Sequence, residues 1–292
     1  MIRRPLKLVT AGAGGVLLAP AGVWYAAFFV APLGFILVFS FLTSADYGGI
    51  EYTFNLGNYP QLLTHPIYLR IFLNTMGMAF SGTLLCLLVG FPLAYFLATR
   101  AGRWKNLFLV MLIVPFWTSF LTRTYAWLIL LSDNGPLAHV LRQANLLHGD
   151  LGFLYTYKAV LMGVVYNYLP LMIFPLYVSL ERLDKRLIEA AKDLGAGRLQ
   201  TFWRITVPLT TPGILTGCLL VFIPLTGEYV IPAILGGAKS YMIGNLIGDE
   251  FVSAHDWAFG SALGMAVIVL LMFLIAVYFR VARRATTAEM SL

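Results

Sequence analysis

Six stretches of this chain are apolar for long enough to cross a lipid bilayer, at roughly 16–42, 71–98, 107–131, 159–180, 209–235 and 258–279. A spanning helix needs about 20 mainly apolar residues, because the hydrocarbon layer is about 30 Å thick and each residue rises about 1.5 Å. Inside that layer every backbone N–H and C=O must find a partner within the protein, so runs of this length can only be helices. Composition agrees, with 60% hydrophobic and 11% charged residues, against about 25% charged in an ordinary soluble domain. The pattern excludes a soluble globular protein, a disordered chain and a collagen-like fibre. It predicts an all-α integral membrane protein of six transmembrane helices, forming a single domain over 1–292. Cys86 and Cys218 both lie inside apolar runs, which excludes a disulfide framework and a cysteine-rich metal site.

The first run is interrupted by Pro20 and Pro32. Its expected form is a short interfacial piece around 8–19, then a span from about Val23. The basic start, with Arg3, Arg4 and Lys7, imitates a secretory signal, but the apolar stretch continues past Phe41. It is therefore read as an uncleaved first span.

Lys and Arg set the orientation. One set of connections carries Arg3, Arg4 and Lys7; Arg100, Arg103 and Lys105; Arg182, Lys185, Arg186, Lys192, Arg198 and Arg204; and Arg280, Arg283 and Arg284. The alternate set carries Arg70, Arg142, Lys158 and Lys239. Fifteen against four places both termini in the cytoplasm by the positive-inside rule. An even number of spans requires the same. The outer stretch 43–70 is rich in aromatics, including Tyr47, Tyr52 and Tyr59, and 236–257 holds Asp249, Glu250 and Asp256. His65, His139, His148 and His255 all fall in outer connections without metal-ligand spacing.

The fourth connection, about 181–208, is too polar to span and too rich in helix formers to be a plain loop. Leu187, Ile188, Ala191 and Leu194 recur at helical spacing, and Gly195 and Gly197 stop that helix. A second amphipathic piece with Leu199, Phe202, Trp203 and Ile205 leads to Pro208. A helix, a glycine turn and a second helix with an exposed apolar edge form a partner site.

The residues of this connection resemble a known family. Glu189-Ala190-Ala191, Gly195 after three intervening residues, and then Ile205, Val207 and Pro208 are similar to the EAA motif of the membrane subunits of binding-protein-dependent ABC importers. Val207 stands where the motif has Leu. Val114 to Thr118, Leu183 to Lys185, Pro208 to Leu220, Leu235 to Lys239, Gly227 to Pro232 and Met242 to Gly244 extend the resemblance toward spermidine/putrescine (polyamine) permeases. The resemblance implies a type I ABC importer-like fold in a bacterial inner membrane. It also implies a cytoplasmic coupling helix in the EAA loop, with Glu189, Ala190, Ala191, Gly195, Ile205 and Pro208 engaging an ATPase. The partners implied are two cytoplasmic ATPase subunits, a second and related permease subunit, an external solute-binding protein and the lipid bilayer, with no nucleic acid. ATP and Mg would be bound by the ATPase subunits, leaving no cofactor in this chain. Its own residues agree: Gly236-Gly-Ala-Lys-Ser240 lacks the Gly before Lys that a phosphate-binding loop needs.

Two ionisable groups fall well inside the predicted spans, Arg123 and Glu228. A charge there costs at least about 2.5–3.5 kcal/mol on insertion scales, so each needs a reason. On straight helices they rise roughly 24 Å and roughly 28 Å from the inner ends of spans three and five. That common depth suits a mutual ion pair or snorkelling at the outer edge. The alternative is that Glu228 faces the pathway and steers a cation. Trp117, Tyr125, Trp127, Tyr166, Asn167, Tyr168 and Tyr229 are aromatic or polar path candidates, since ammonium groups bind carboxylates and aromatic faces. Pro115, Pro170, Pro175, Pro208, Pro212 and Pro224 predict kinks in spans three to five. An ion-coupled secondary transporter is the rival class, and it would need several acidic groups near the midplane. A permease for another small solute is the rival within the family.

Overall fold

The structure is a computed structural model and describes residues 11–45 and 48–289. Arg3, Arg4, Lys7, Tyr47 and the beginning of the expected interfacial piece lie outside these residues. Among the described residues five unbroken helices are long and apolar enough to cross a membrane: Leu18–Phe39, Pro66–Thr99, Tyr157–Glu181, Arg198–Thr226 and Trp257–Arg280. A sixth crossing is available if the bent pair Gly102–Trp117 and Phe120–Gln143 forms one span. We refer to these as spans one to six in chain order. The remaining regular structure includes a short antiparallel hairpin, Leu42–Ser44 with Ile50–Phe54, between spans one and two.

Span one corrects the first expectation. Helix Ala11–Tyr25 passes through a π turn, Ala26–Val30, into Ala31–Phe39 without a break at Pro20. A proline inside a helix costs about 3 kcal/mol. Unwinding the helix in hydrocarbon strands several backbone groups at several kcal/mol each, so continuous helix is the cheaper solution. Two π turns sit immediately before an X–Pro bond. Ala31 N–H reaches Ala26 O ahead of Pro32, and Val207 N–H reaches Phe202 O ahead of Pro208. Widening the turn by one residue accommodates a ring that has no N–H and crowds the carbonyl four residues back.

Span three is not a straight helix. Lys105–Ile113 runs into a 3₁₀ turn, Val114–Trp117, then Thr118 and Ser119 are extended and Phe120–Leu131 starts a new helix. The two halves meet at 92°, so the height inferred for Arg123 from a straight rise does not hold. Span five differs at both ends. It begins at Arg198, so the second amphipathic piece of the fourth connection is its own first turns, and it stops at Thr226 rather than 235. Span two begins at Pro66, a favoured residue in a first helical turn. Pro170, Pro175, Pro212 and Pro224 all lie within unbroken helices.

Spans two, four and five form the core, burying Met78, Cys86, Val164, Met172, Ile173, Leu176, Val221 and Leu225. Small residues permit this approach. A Cβ on Gly213 would lie 2.4 Å from Ser179 Cβ, and one on Gly217 would lie 2.7 Å from Met172 Sδ. A second cluster of Ile71, Ile243, Leu246, Phe259, Leu263 and Val267 joins span two to the helix Ile243–Val252 and to span six. Span one packs on span six through its second half, Ala31–Phe39, while every residue from Leu18 to Pro32 is exposed.

Candidate functional site

The fourth connection folds as a nine-residue helix, Lys185–Asp193, a turn, and the start of span five. Asp184 caps the helix, its carboxylate accepting from Arg186 N–H at 2.9 Å. The far end is a Schellman turn. Gly195 N–H donates to Lys192 O and Ala196 N–H to Ala191 O, both at 2.9 Å. Gly195 sits at φ +81° with nothing within 4 Å of a built Cβ. The glycine is therefore there for its left-handed backbone, not for close packing. Glu189 and Ala190 are exposed, Ala191 is buried, Ile205 is half-buried and Pro208 is exposed. The apolar edge is real: Leu194 is 89% exposed and Trp203 62%, with Leu187 and Leu199 beside them. Phe202 turns inward and meets Phe91 of span two edge-on, at 5.5 Å between centroids.

The expected ion pair between Arg123 and Glu228 is not made. Arg123 instead staples the break in span three. Its Nη1 donates to Pro115 O at 3.2 Å, and its guanidinium lies 4.6 Å from the centroid of Phe116. Pro115 O also accepts from Thr118 Oγ1 at 2.6 Å. These donors satisfy a carbonyl that the break releases, leaving Arg123 Nε buried without a hydrogen-bond partner.

Glu228 lies just past the end of span five and is 6% exposed. Its Oε1 accepts from Val230 N–H at 2.9 Å and Ile231 N–H at 3.1 Å, and its Oε2 accepts from Tyr168 OH. The carboxylate thus caps the short helical stretch 230–236, where free N–H groups and the helix dipole favour an anion. Hydrogen bonds to a charged group contribute about 1.5–3 kcal/mol each. Three of them offset an insertion cost of about 2.5–3.5 kcal/mol without any cation. Around this cap, Asn245 Nδ2 donates to Tyr229 O at 2.8 Å, and Ile243 N–H donates to Thr75 Oγ1 at 2.9 Å.

The remaining path candidates sort into separate places. Tyr166 meets Trp127 edge-on at 5.3 Å. Asn167, 3% exposed, donates to Gly163 O at 2.9 Å, while its Oδ1 is unpartnered. Trp117 is 85% exposed at the break of span three, and Tyr125 and Tyr229 are exposed. None of these candidates lines the open groove of about 1090 Å³ between spans four and five, which Pro175, Ser179, Arg182, Gly213 and Thr216 line down to Leu187 of the short helix.

Sequence reasoning missed three features: Tyr168 as the partner of Glu228, Pro115 O as the partner of Arg123, and an ion pair from Lys105 to Glu181 that ties spans three and four together. The first and third join residues far apart in sequence. The second had a local signal in Pro115 and the two hydroxyl residues after Trp117. Between spans five and six, Tyr241 OH donates to Asp249, and Asp256 Oδ1 accepts from Ser44 Oγ and from Phe259 N–H. Burial, then the neighbouring Asp256 and Asp249, push the Glu250 carboxyl above its ordinary range. Among the described residues no three His, Cys, Asp or Glu side chains are grouped to hold a metal ion.

Residues 90–287 match the family described as binding-protein-dependent transport system inner membrane component. The chain is 42% identical over 260 residues to the spermidine/putrescine transport system permease protein PotB of Escherichia coli (strain K12), covering 89% of this chain and 94% of that one. It is 39% identical over 257 residues to PotB of Haemophilus influenzae, covering 88% and 90%. Among solved structures it is similar to a bacterial ABC transporter that imports the acidic polysaccharide alginate, with TM-score 0.75, 15% identity and coverage of 94% and 96%. It is also similar to the MetNI methionine ABC transporter in inward-facing form, with TM-score 0.56, 16% identity and coverage of 76% and 99%.

Proposed function

The chain belongs to the binding-protein-dependent transport system inner membrane components and is a permease of an ABC importer; from that premise we propose that its solutes are polyamines. The observation that carries the substrate class is the 42% identity to a spermidine/putrescine permease along 89% of the chain. ATPase subunits and a periplasmic binding protein work with such permeases. In our reading there are two ATPase subunits, which supply ATP and Mg, and a second, related permease subunit that completes the pathway. The short helix Lys185–Asp193 docks on an ATPase through its exposed apolar edge, with Glu189 and Ala190 on the accessible surface. Trp117, Tyr125, Tyr166 and Tyr229 offer aromatic faces to a passing ammonium group. Glu228 and Asn167 are held by their own hydrogen bonds and act by positioning the outer end of the path.

Cells lacking their own polyamine importers, expressing this chain with its cognate partners, should accumulate labelled putrescine or spermidine. Uptake of a different solute in place of polyamines would move the chain to another branch of the family. Orientation has its own test. A cysteine placed at Ser253 should be labelled from outside, and one at Lys192 should not. Outside labelling at Lys192 removes the docking surface from the cytoplasm and overturns the reading.

A further inference from the structure

Beside the turn at Gly195 lies a recess of about 250 Å³ that none of the roles above uses. Arg100 lines it from the end of span two, Lys192 from the short helix, and Arg198 from the first residue of span five, together with Tyr95, Thr201 and Thr206. Three cations from three elements converge there, and among the described residues no carboxylate lines the recess. The ion pairs among the described residues join Lys105 to Glu181 and Arg142 to Asp150, so none of the three cations is neutralised by a described carboxylate. Like charges gathered around one recess raise one another's energy unless an anion sits among them.

Location narrows the anion. Arg100 caps the end of one span and Arg198 opens another, so the recess lies at the membrane boundary on the face that carries the short helix. Phe96, four residues before Arg100, exposes apolar surface close by in the chain. A ligand with a phosphate head and an acyl tail matches that combination of cations and apolar surface. Basic pockets between spanning helices on the cytoplasmic side suit phospholipid headgroups. We propose that this recess binds a phosphate group, supplied by the headgroup of an anionic phospholipid in the adjoining leaflet. A bound headgroup would bridge span two, the short helix and span five, and so brace the element that meets the ATPase. The leaflet and the ATPase contact rest on the reading above, whereas the binding itself does not.

The test is native mass spectrometry of the full complex after delipidation, with phosphatidylglycerol, phosphatidylcholine or inorganic phosphate added back. Wild type should retain one phosphatidylglycerol per copy of this chain, and phosphatidylcholine should not replace it. The triple variant Arg100→Gln, Lys192→Gln, Arg198→Gln should weaken retention by about a hundredfold, while Arg103→Gln, outside the recess, leaves it unchanged. Displacement of the lipid by inorganic phosphate would keep the phosphate site but assign it to free phosphate. Equal retention by wild type and the triple variant would overturn the site. If the triple variant does not assemble, phosphatidylglycerol with a photoreactive headgroup should label wild type within 95–100 or 188–206. Labelling confined to other segments overturns the proposal. Lipid retention without polyamine uptake would sink the substrate reading and leave the recess standing.

Discussion

The turn at Gly195 and the turn at Gly227 flank the same helix, span five, and are built in opposite ways; in the proposed orientation they are the inner and the outer turn. The inner turn closes on itself. Two backbone hydrogen bonds and one left-handed glycine complete it, open space surrounds that glycine, and Leu194 stands free. The outer turn is closed by the rest of the protein. A carboxylate caps the stretch after it, a tyrosine from span four holds that carboxylate, and a Cβ on Gly244 would lie 2.6 Å from Gly227 O. In the proposed function the first turn presents a surface to another subunit, and its local bonds leave the exposed side free. The second shapes the mouth of the path and is fixed by tertiary contacts.

The largest effect should come from the outer turn. Glu228→Ala leaves Val230 N–H, Ile231 N–H and Tyr168 OH without their acceptor, at about 1–3 kcal/mol for each buried group. Thermal stability of the purified permease should fall sharply. Glu228→Gln keeps an acceptor for the two N–H groups and should cost less. Adding Arg123→Met should not rescue either variant, because the two side chains share no contact, and their effects should add within about 0.5 kcal/mol. Rescue would restore the ion pair and erase the contrast between the turns.

The inner turn should respond in function more than in stability. Gly195→Val forces a β-branched residue into the left-handed region, at about 1–2 kcal/mol, in a position that packs against nothing. The chain should insert at normal yield while ATPase co-purification and uptake drop severalfold. Gly195→Asn, which tolerates this conformation, should retain most of both. Full activity of a stably inserted Gly195→Val chain would show that the turn's shape plays no part in docking.

The smallest effect concerns pH. Glu250 has a folded-state pKa above its unfolded value of about 4.3. Protonation therefore favours the folded outer region. Its contribution is fully present below the unfolded pKa and is lost as pH rises through the raised folded value. Glu250→Gln should flatten that part of the stability profile and leave the inner turn's behaviour unchanged. An identical slope in the variant would assign the pH dependence elsewhere.

Much of the inner region was legible because its information is local. Gly195, the helical spacing from Leu187 to Leu194 and the residues of the EAA pattern all fall within one short segment, and backbone bonds three to five residues apart complete it. The outer region was not legible for the opposite reason. Tyr168 and Glu228 are sixty residues apart, and hydropathy reads Gly227 to Leu235 as a continuation of span five because those residues are mostly apolar. The break in span three was half visible. Pro115 announces a kink, but neither its 92° angle nor Arg123 reaching back to the carbonyl that the bend exposes is written in the local pattern.

By itself the sequence determined the number of apolar runs, the charge asymmetry, the family and the short helix and glycine turn of the EAA pattern. Each rests on solvation or on bonds between near neighbours, which act wherever the rest of the chain lies. Only the tertiary structure decided which partner each buried charge takes, where spans three and five break, and that three cations meet in one recess. Inside a bilayer a polar group must bind whatever acceptor or donor packing brings to it, and packing is set by the glycine contacts among spans two, four and five, which no local pattern records.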